Sequence, residues 1–320
     1  MSIRWGFLGA GSIATKALTP AVHAAKNATL QAVASRDVIR SQSLEPVKVH
    51  STYQDLLDDP HIDAVYISLA NHQHCEWSIK ALQAGKHVLC EKPIAMDAKE
   101  ARLMADAAKE NNRMLVEAVW TRWHPRFVRM VELVRSGAIG EIKAIDASFT
   151  FPGSLEGNYR LAPEMGGGSL FDVGPYPLHA WSALTHGDLK IKINSIQRNT
   201  APTGVDMTTR IDATLNGSIA VNALTSFERE EEQLLLVTGS VSSIENIGND
   251  AFTSLRSPSV LKVGDSLENF APADPYQLMV ENFCARIIGE ESWILPMEET
   301  IRVMEILDQI ASTTSGLTPS

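Results

Sequence analysis

Two clusters in the sequence have residue types and spacing that could move protons. In the first, Gly166-Gly167-Gly168 runs into Ser169-Leu170-Phe171-Asp172-Val173-Gly174-Pro175-Tyr176-Pro177-Leu178-His179. If this stretch is helical, Asp172, Tyr176 and His179 fall at i, i+4 and i+7 and share one face, which gathers a carboxylate, a phenol and an imidazole for acid–base work. Pro175 and Pro177 each lack a backbone N–H, so the competing reading is a Gly-rich turn that enters a helix, with a capping Asp172 and a half-buried Tyr176. The second cluster is Glu91-Lys92-Pro93, directly after the apolar run His87 to Cys90. A lysine there could orient an oxygen, stabilise developing negative charge or shift a neighbouring acid, whereas the bland alternative is a solvated loop side chain. The residue before a proline is kept out of the helical region, so Lys92 is expected in a defined extended turn.

A third motif binds rather than reacts. Gly9-Ala10-Gly11-Ser12-Ile13-Ala14 follows the apolar run Ile3 to Leu8 and opens a helical pattern. Glycine at 9 permits a tight turn, glycine at 11 lets a pyrophosphate reach the backbone, and Ala14 lets the helix pack closely. The first N–H groups of that helix, around Ser12 and Ile13, would then face the phosphates. About 20 positions beyond such a loop, at the tip of the second strand, the ribose is recognised. Here the tip reads Ser35-Arg36-Asp37. A hydroxyl and a guanidinium there suit a 2′-phosphate and favour NADP. Asp37 would favour NAD if the strand ended later, so NAD remains open at this point. Asn71-His72-Gln73-His74-Cys75-Glu76 contains metal-ligand types, but no second cluster completes a ligand set, so no metal is expected. Asn71 and His74, at the end of a central strand, and Glu91 with Lys92 are instead expected to contact the nucleotide.

These residues need a scaffold. Strand patterns at Ile3 to Leu8, Leu30 to Ala34, Ala64 to Leu69, His87 to Cys90 and Met114 to Ala118 alternate with helical patterns at Ile13 to Ala25, Cys75 to Ala84 and Asp97 to Asn111. That alternation predicts a doubly wound parallel sheet over residues 1–119. After Trp120 the pattern changes. Pro125 opens a helix, then period-two alternation from Ile145 to Phe151 and from Met207 to Leu215 predicts half-buried antiparallel strands. Two closing helices follow Asp274-Pro275 and Pro296. The fold class is therefore α/β, with a Rossmann domain at 1–119 and a second α/β domain with an open, mainly antiparallel sheet at 120–320.

The chain has 320 residues, with 28 Lys+Arg against 38 Asp+Glu, a net charge of −10 that argues against nucleic-acid or membrane-surface partners. Its three cysteines include no Cys-x-x-Cys pair, which fits a reducing compartment. Neither a signal peptide nor a long apolar span is evident, and a cytoplasmic location is expected.

Together, Gly9-Ala10-Gly11-Ser12-Ile13-Ala14, the stretch Lys80 to Pro93 and Asp172-Val173-Gly174-Pro175-Tyr176 resemble the glucose-fructose oxidoreductase and inositol 2-dehydrogenase family. The resemblance covers nearly the whole chain. Glu117 to Trp123, Gly166 to Tyr176, Gly204-Val205-Asp206 and Asp274-Pro275-Tyr276 look most like its dimeric dihydrodiol dehydrogenase and NADP-dependent D-xylose 1-dehydrogenase branch. The resemblance implies that Lys92 lies beside the nicotinamide, that Tyr176 exchanges a proton with the substrate, and that Asp172 supports them. It further implies that Trp120 and Phe149 line the substrate pocket, with His179 a less secure member, and that the bond before Pro93 is cis. The implied activity is NADP-dependent hydride transfer to or from the CH–OH group of an aldose or cyclic diol, by a homodimer joined through its C-terminal sheet. Alternatives are reduction of a keto-sugar or dicarbonyl and, in another class, a non-catalytic nucleotide-binding sensor.

Overall fold

Short runs that are apolar at every position cannot leave one face wet, and in the first third of the chain they form a sheet covered on both sides. The computed structural model describes residues 2–153, 157–186, 189–314 and 316–317. Its first sheet contains β1 (Ile3–Leu8), β2 (Ala28–Ala34), β3 (Lys48–His50), β4 (Ala64–Ile67), β5 (His87–Cys90) and β6 (Leu115–Glu117). The order is β3-β2-β1-β4-β5-β6, and the pairings are parallel. Every residue of β4 and β6 is buried. Helices α1 (Thr19–Ala24), α2 (Val38–Gln42), α3 (Tyr53–Leu57), α4 (His74–Gln83) and α5 (Ala98–Glu110) lie between the strands in sequence. Asp97 caps α5 by accepting the Glu100 N–H at 2.7 Å, as the Asp97-x-x-Glu100 pattern predicts. The chain leaves β1 for β2 on one side and reaches β4 on the other, so the carboxyl end of β1 is the crevice where doubly wound sheets take ligands.

The second sheet is built from β7 (Ile142–Thr150), β8 (Ile191–Thr200), β9 (Asp206–Leu215), β10 (Ile219–Ser226), β11 (Glu232–Gly239), β12 (Ser243–Ile247), β13 (Ser259–Val263), β14 (Ser266–Phe270) and β15 (Gly316–Leu317). Its order is β14-β13-β12-β11-β7-β10-β9-β8-β15. The alternation read from the sequence is real: Thr209, Ile211, Ala213 and Leu215 of β9 are buried while Arg210 and Asp212 are exposed. One pairing departs from the antiparallel expectation, because β7 and β10 run parallel. Parallel neighbours need a long crossover, and here it includes α7 (Ser169–Val173) and α8 (Pro175–Leu184). All ten residues of α8 are buried, so it is a core helix with no wet face. The helix α6 (Pro125–Arg135) precedes this sheet, and α9 (Pro275–Ile287) and α10 (Met297–Ser312) close the chain.

The two compact units are discontinuous: one comprises Met1–Trp123 with Asp274–Ile301, the other His124–Ala273 with Arg302–Ser320. The boundary expected after residue 119 therefore falls after Trp123, and the closing segment returns to the first unit. Buried aromatic contacts explain this. Trp5 packs on Phe283 at 5.1 Å and donates to Cys284 Sγ at 3.4 Å, and Trp120 stacks on Tyr276 at 5.1 Å. Among the described residues no helix is long and apolar enough to cross a membrane.

Candidate active site

The phosphate loop follows β1 directly. Gly9 has φ +97°, and a Cβ there would lie 2.9 Å from the Ser68 carbonyl oxygen, so both its conformation and its surroundings demand glycine. Gly11 differs, since a Cβ would meet only the Ser68 oxygen, at an ordinary 3.8 Å. The protein itself leaves room at Gly11 for a Cβ, so its own packing does not demand glycine there. The helix starts at Ser12, and Gly11 has no side chain to compete for its first N–H groups. A widened π turn, Ala14–Leu18, leads into α1, with the Thr19 N–H bonded back to Ala14 O just before Pro20. Pro20 has no N–H to give, and the wider turn accommodates its ring. This cradle fits a dinucleotide.

At the tip of β2, Asp37 is already employed. Its carboxylate caps α2, accepting the Arg40 N–H at 2.9 Å, and it lies 3.6 Å from the Arg40 guanidinium. Ser35 Oγ donates to Asp37 O at 2.8 Å, which holds the turn, while Arg36 is exposed. The strand ends at Ala34, so the geometry in which Asp37 would read a ribose does not arise.

After β5 the chain enters Glu91-Lys92-Pro93, and the Lys92–Pro93 bond is cis. Glu91 is buried and accepts the Tyr66 hydroxyl proton at 2.6 Å. Burial pushes the Glu91 carboxyl above its ordinary range, against the pull of Lys92 and of the Tyr66 bond. Lys92 is half-buried and Asn71 buried. His74 is fully buried, with Nδ1 2.8 Å from Pro93 O and Nε2 3.1 Å from Leu69 O. Both its nitrogens face backbone carbonyls, of which a neutral ring can donate to one, so the side chain that was expected to contact a nucleotide is placed as a structural tie between two loops. Burial lowers the His74 pKa, opposed by the two carbonyls. Glu117, which the motif reading passed over, accepts the Ile94 N–H at 3.1 Å and the Thr300 hydroxyl at 3.0 Å. Trp120 is buried on Tyr276 in this unit.

In the second unit the proline-rich stretch is helical on both sides of Gly174, whose φ −61° and ψ −31° keep the right-handed turn going between α7 and α8. Asp172 and Tyr176 are buried at 6% and 8% exposure, and His179 at 0%. His179, the less secure member of the expected pocket, is thus fully enclosed by the protein. Tyr176 sits in an aromatic wall, 5.3 Å from Phe149 and 5.9 Å from Phe252, which stack on each other. Asp172 receives both the Nε of Arg160 at 2.7 Å and its Nη2 at 3.1 Å. Asp206 collects the Ser169 hydroxyl at 2.6 Å, the Leu170 N–H at 2.8 Å and the Thr209 hydroxyl at 2.8 Å, capping α7 from across the unit. Gly168 makes room for that cap: its φ is +110°, and a Cβ would fall 2.2 Å from Asp206 Oδ1.

Arg160, Asp206, Glu117 and Phe252 are the participants that the sequence reading did not assign. The signal for Arg160 was indirect, since a buried Asp172 must find a cation or several donors. Among the described residues no group of three or more His, Cys, Asp or Glu could hold a metal ion.

Residues 3–119 match the model of the GFO_IDH_MocA oxidoreductase family with NAD-binding Rossmann fold, and residues 127–245 match the GFO/IDH/MocA C-terminal domain. D-xylose 1-dehydrogenase (NADP(+)) 2 of Haloferax volcanii is 31% identical over 96% of this chain and 95% of its own. Trans-1,2-dihydrobenzene-1,2-diol dehydrogenase of Danio rerio is 34% identical over 55% of this chain and 54% of its own. Among solved structures, that of KijD10, a 3-ketoreductase from Actinomadura kijaniata, in complex with NADP and TDP-benzene, is similar with a TM-score of 0.89 at 27% identity over 98% of each chain. The phosphate cradle and the second sheet are therefore those of a known lineage, and the chain belongs to the GFO/IDH/MocA family of oxidoreductases.

Proposed function

We propose that the protein is an NADP-dependent oxidoreductase acting on a CH–OH group of a sugar or cyclic diol. The observation that carries this reading is the division of labour at the β2 tip: Asp37 is consumed as a helix cap, the Ser35 hydroxyl holds the turn, and the exposed Arg36 is left to meet a 2′-phosphate beside a glycine loop that opens a helix. The NADP-bound ketoreductase and the NADP-dependent xylose dehydrogenase among the relatives support the same cofactor. NADP, when bound, supplies a nicotinamide that takes or returns hydride at the substrate carbon. Tyr176 takes the hydroxyl proton as a carbonyl forms, and returns it in the reverse direction. A phenol ordinarily titrates near ~10, so it needs a cationic setting to act at neutral pH. Lys92 bears on the reacting oxygen and stabilises its developing negative charge. Phe149 gives the substrate an apolar wall.

The test is nicotinamide absorbance at neutral pH with NADP and pooled aldoses, cyclitols and cyclic diols, for the natural chain and for Tyr176→Phe. The expected result is turnover that falls at least ~100-fold in the variant while NADP affinity stays within about threefold, the usual size of an acid–base contribution. Equal turnover in both proteins removes Tyr176 from the reaction. A second reading, reduction of a keto-sugar, is favoured by the 3-ketoreductase likeness, and turnover only with NADPH and carbonyl substrates would select it. A homodimer through the second sheet, in a reducing cytoplasm, completes the proposal. Its support is the exposure of Arg210, Asp212 and Asn222 on neighbouring strands of that sheet and three free cysteines, and a monomeric mass by light scattering would remove the dimer.

A further inference from the structure

We propose that Arg160 is a positioning residue of the proton-transfer step, holding both carboxylate oxygens of Asp172 so that the Tyr176 turn is fixed and a permanent positive charge stands beside that phenol. The inference rests on the reading that Tyr176 exchanges the proton.

The geometry starts from Asp172. It is buried at 6% exposure on α7, and Tyr176 follows at i+4 on α8 across a joint that keeps helical dihedrals, so the two side chains share a face. A buried carboxylate standing alone in that position would oppose ionisation of the phenol, which is the wrong sign for a base. Arg160 answers it with a two-point fork, Nε to Oδ2 at 2.7 Å and Nη2 to Oδ1 at 3.1 Å. The arginine is itself anchored. Its N–H bonds Asn158 Oδ1 at 3.1 Å, its carbonyl accepts the Gly168 N–H at 2.9 Å, and its guanidinium lies 5.1 Å from the Tyr159 ring centroid. One residue thus ties the loop before the glycine run to the start of α7 and to the carboxylate in its first turn.

Burial pulls the Arg160 pKa down, but Asp172 more than reverses this, with smaller upward contributions from Tyr159 and Tyr176, so the guanidinium stays charged throughout the working range. Among the described residues, the ionisable groups on the elements meeting here within this unit include Arg160, Tyr159 and Glu164 on the loop, Asp172 on α7, His179 on the helix of Tyr176 itself, and Asp206 of β9, whose carboxylate caps α7. Phe149 and Phe252 add no charge. Arg160 therefore offsets the charge of Asp172 near the phenol and fixes the helical turn from which that phenol projects.

The experiment compares the natural chain with Arg160→Lys, Arg160→Gln and Arg160→Gln/Asp172→Asn. It reads kcat and KM in the oxidation direction from pH 6 to 10, the melting temperature, and the absorbance titration of the Tyr176 phenol, obtained by subtracting Tyr176→Phe. In Arg160→Gln the acidic limb of the kcat profile and the phenol titration should both move up by about one pH unit or more, with kcat at pH 7 down at least ~10-fold and NADP KM within about twofold. Arg160→Lys should keep the limb near its natural place while losing part of kcat, and the double variant should bring the limb back toward it. A limb and a phenol titration that overlay the natural ones in Arg160→Gln, whatever its melting temperature, would overturn the proposal and leave Arg160 a purely structural residue. If Tyr176→Phe turns over normally, the failure belongs to the function of Tyr176, and the phenol titration still decides whether Arg160 sets its charge.

Discussion

His74 and Glu117 hold opposite ends of one peptide group. The imidazole Nδ1 is 2.8 Å from the carbonyl oxygen of Pro93, and the carboxylate accepts the N–H of Ile94 at 3.1 Å. Both side chains are buried, at 0% and 1% exposure. Lys92 lies one residue upstream, so its backbone is registered by two groups that never need to touch a ligand. His74 also faces Leu69 O; a neutral ring donates to one of the two carbonyls, so removing it leaves that one without its donor, at a cost of about 1–3 kcal/mol.

His74→Leu should therefore lower the melting temperature by several degrees and reduce kcat more than NADP KM. Glu117→Gln, which preserves an acceptor for Ile94, should be milder in both. Thermal melting and steady-state kinetics check this. A His74→Leu protein that melts within a degree of the natural chain would show that the clamp contributes nothing.

The two loop glycines should separate folding from binding. Gly9→Ala forces φ +97° on a residue with a Cβ and drives it to 2.9 Å from Ser68 O, a strain of about 1–3 kcal/mol. Gly11→Ala meets nothing closer than 3.8 Å and should melt normally. Its methyl should nevertheless raise the NADP KM at least ~10-fold by occupying the pyrophosphate's approach. Normal NADP KM in Gly11→Ala would place the phosphates elsewhere.

At the β2 tip, Arg36→Ala should weaken NADP ~10- to 100-fold, the worth of a charge-assisted contact, and leave NAD unaffected. Asp37→Ala should cost about 1 kcal/mol of stability through the lost cap and leave the NADP-to-NAD ratio within about threefold. Ratios of kcat/KM for the two dinucleotides decide it. A shift toward NADP in Asp37→Ala would mean that Asp37 reads the ribose after all.

Two histidines should make stability depend on acid. Burial pulls His87 and His124 down to about 4, and each accepts a backbone N–H on Nδ1, from Met114 at 3.0 Å and Arg126 at 3.1 Å. Their folded values lie below the ordinary 6.5, so the unfolded chain binds protons first as pH falls. Their stabilising contribution is complete above about pH 6.5 and is lost progressively toward pH 4. The melting temperature should be level from pH 8 to 7 and decline below. His124→Asn, whose amide oxygen can cap the same N–H, should flatten part of that slope, and an unchanged slope would exonerate His124.

Much of the first unit was legible because its signals are local. A glycine that needs positive φ, an Asp cap before α5 and strands apolar at every position each announce themselves within a few residues. β3 was not legible, since three residues with Lys48 exposed carry no pattern. The same limit applies to the site. Lys92, Asp172 and Tyr176 stood in recognisable runs, whereas Glu117 matters through Ile94 and Thr300, and Asp206 through Ser169 and Leu170. Such partners are chosen by tertiary proximity, which spacing along a chain does not encode. His179 shows the converse, a residue in helical register with the others whose complete burial spacing does not encode.

The split course of the first unit bears on how the chain is made. Trp5 is completed by Phe283 and Cys284, and Trp120 by Tyr276, so residues synthesised earlier wait for residues synthesised much later. A nascent chain paused before residue 274 holds a nearly finished nucleotide fold with indole surfaces uncovered, the kind of exposure that holdase chaperones recognise and aggregation exploits. Synthesis through Ile301 is the step that seals it.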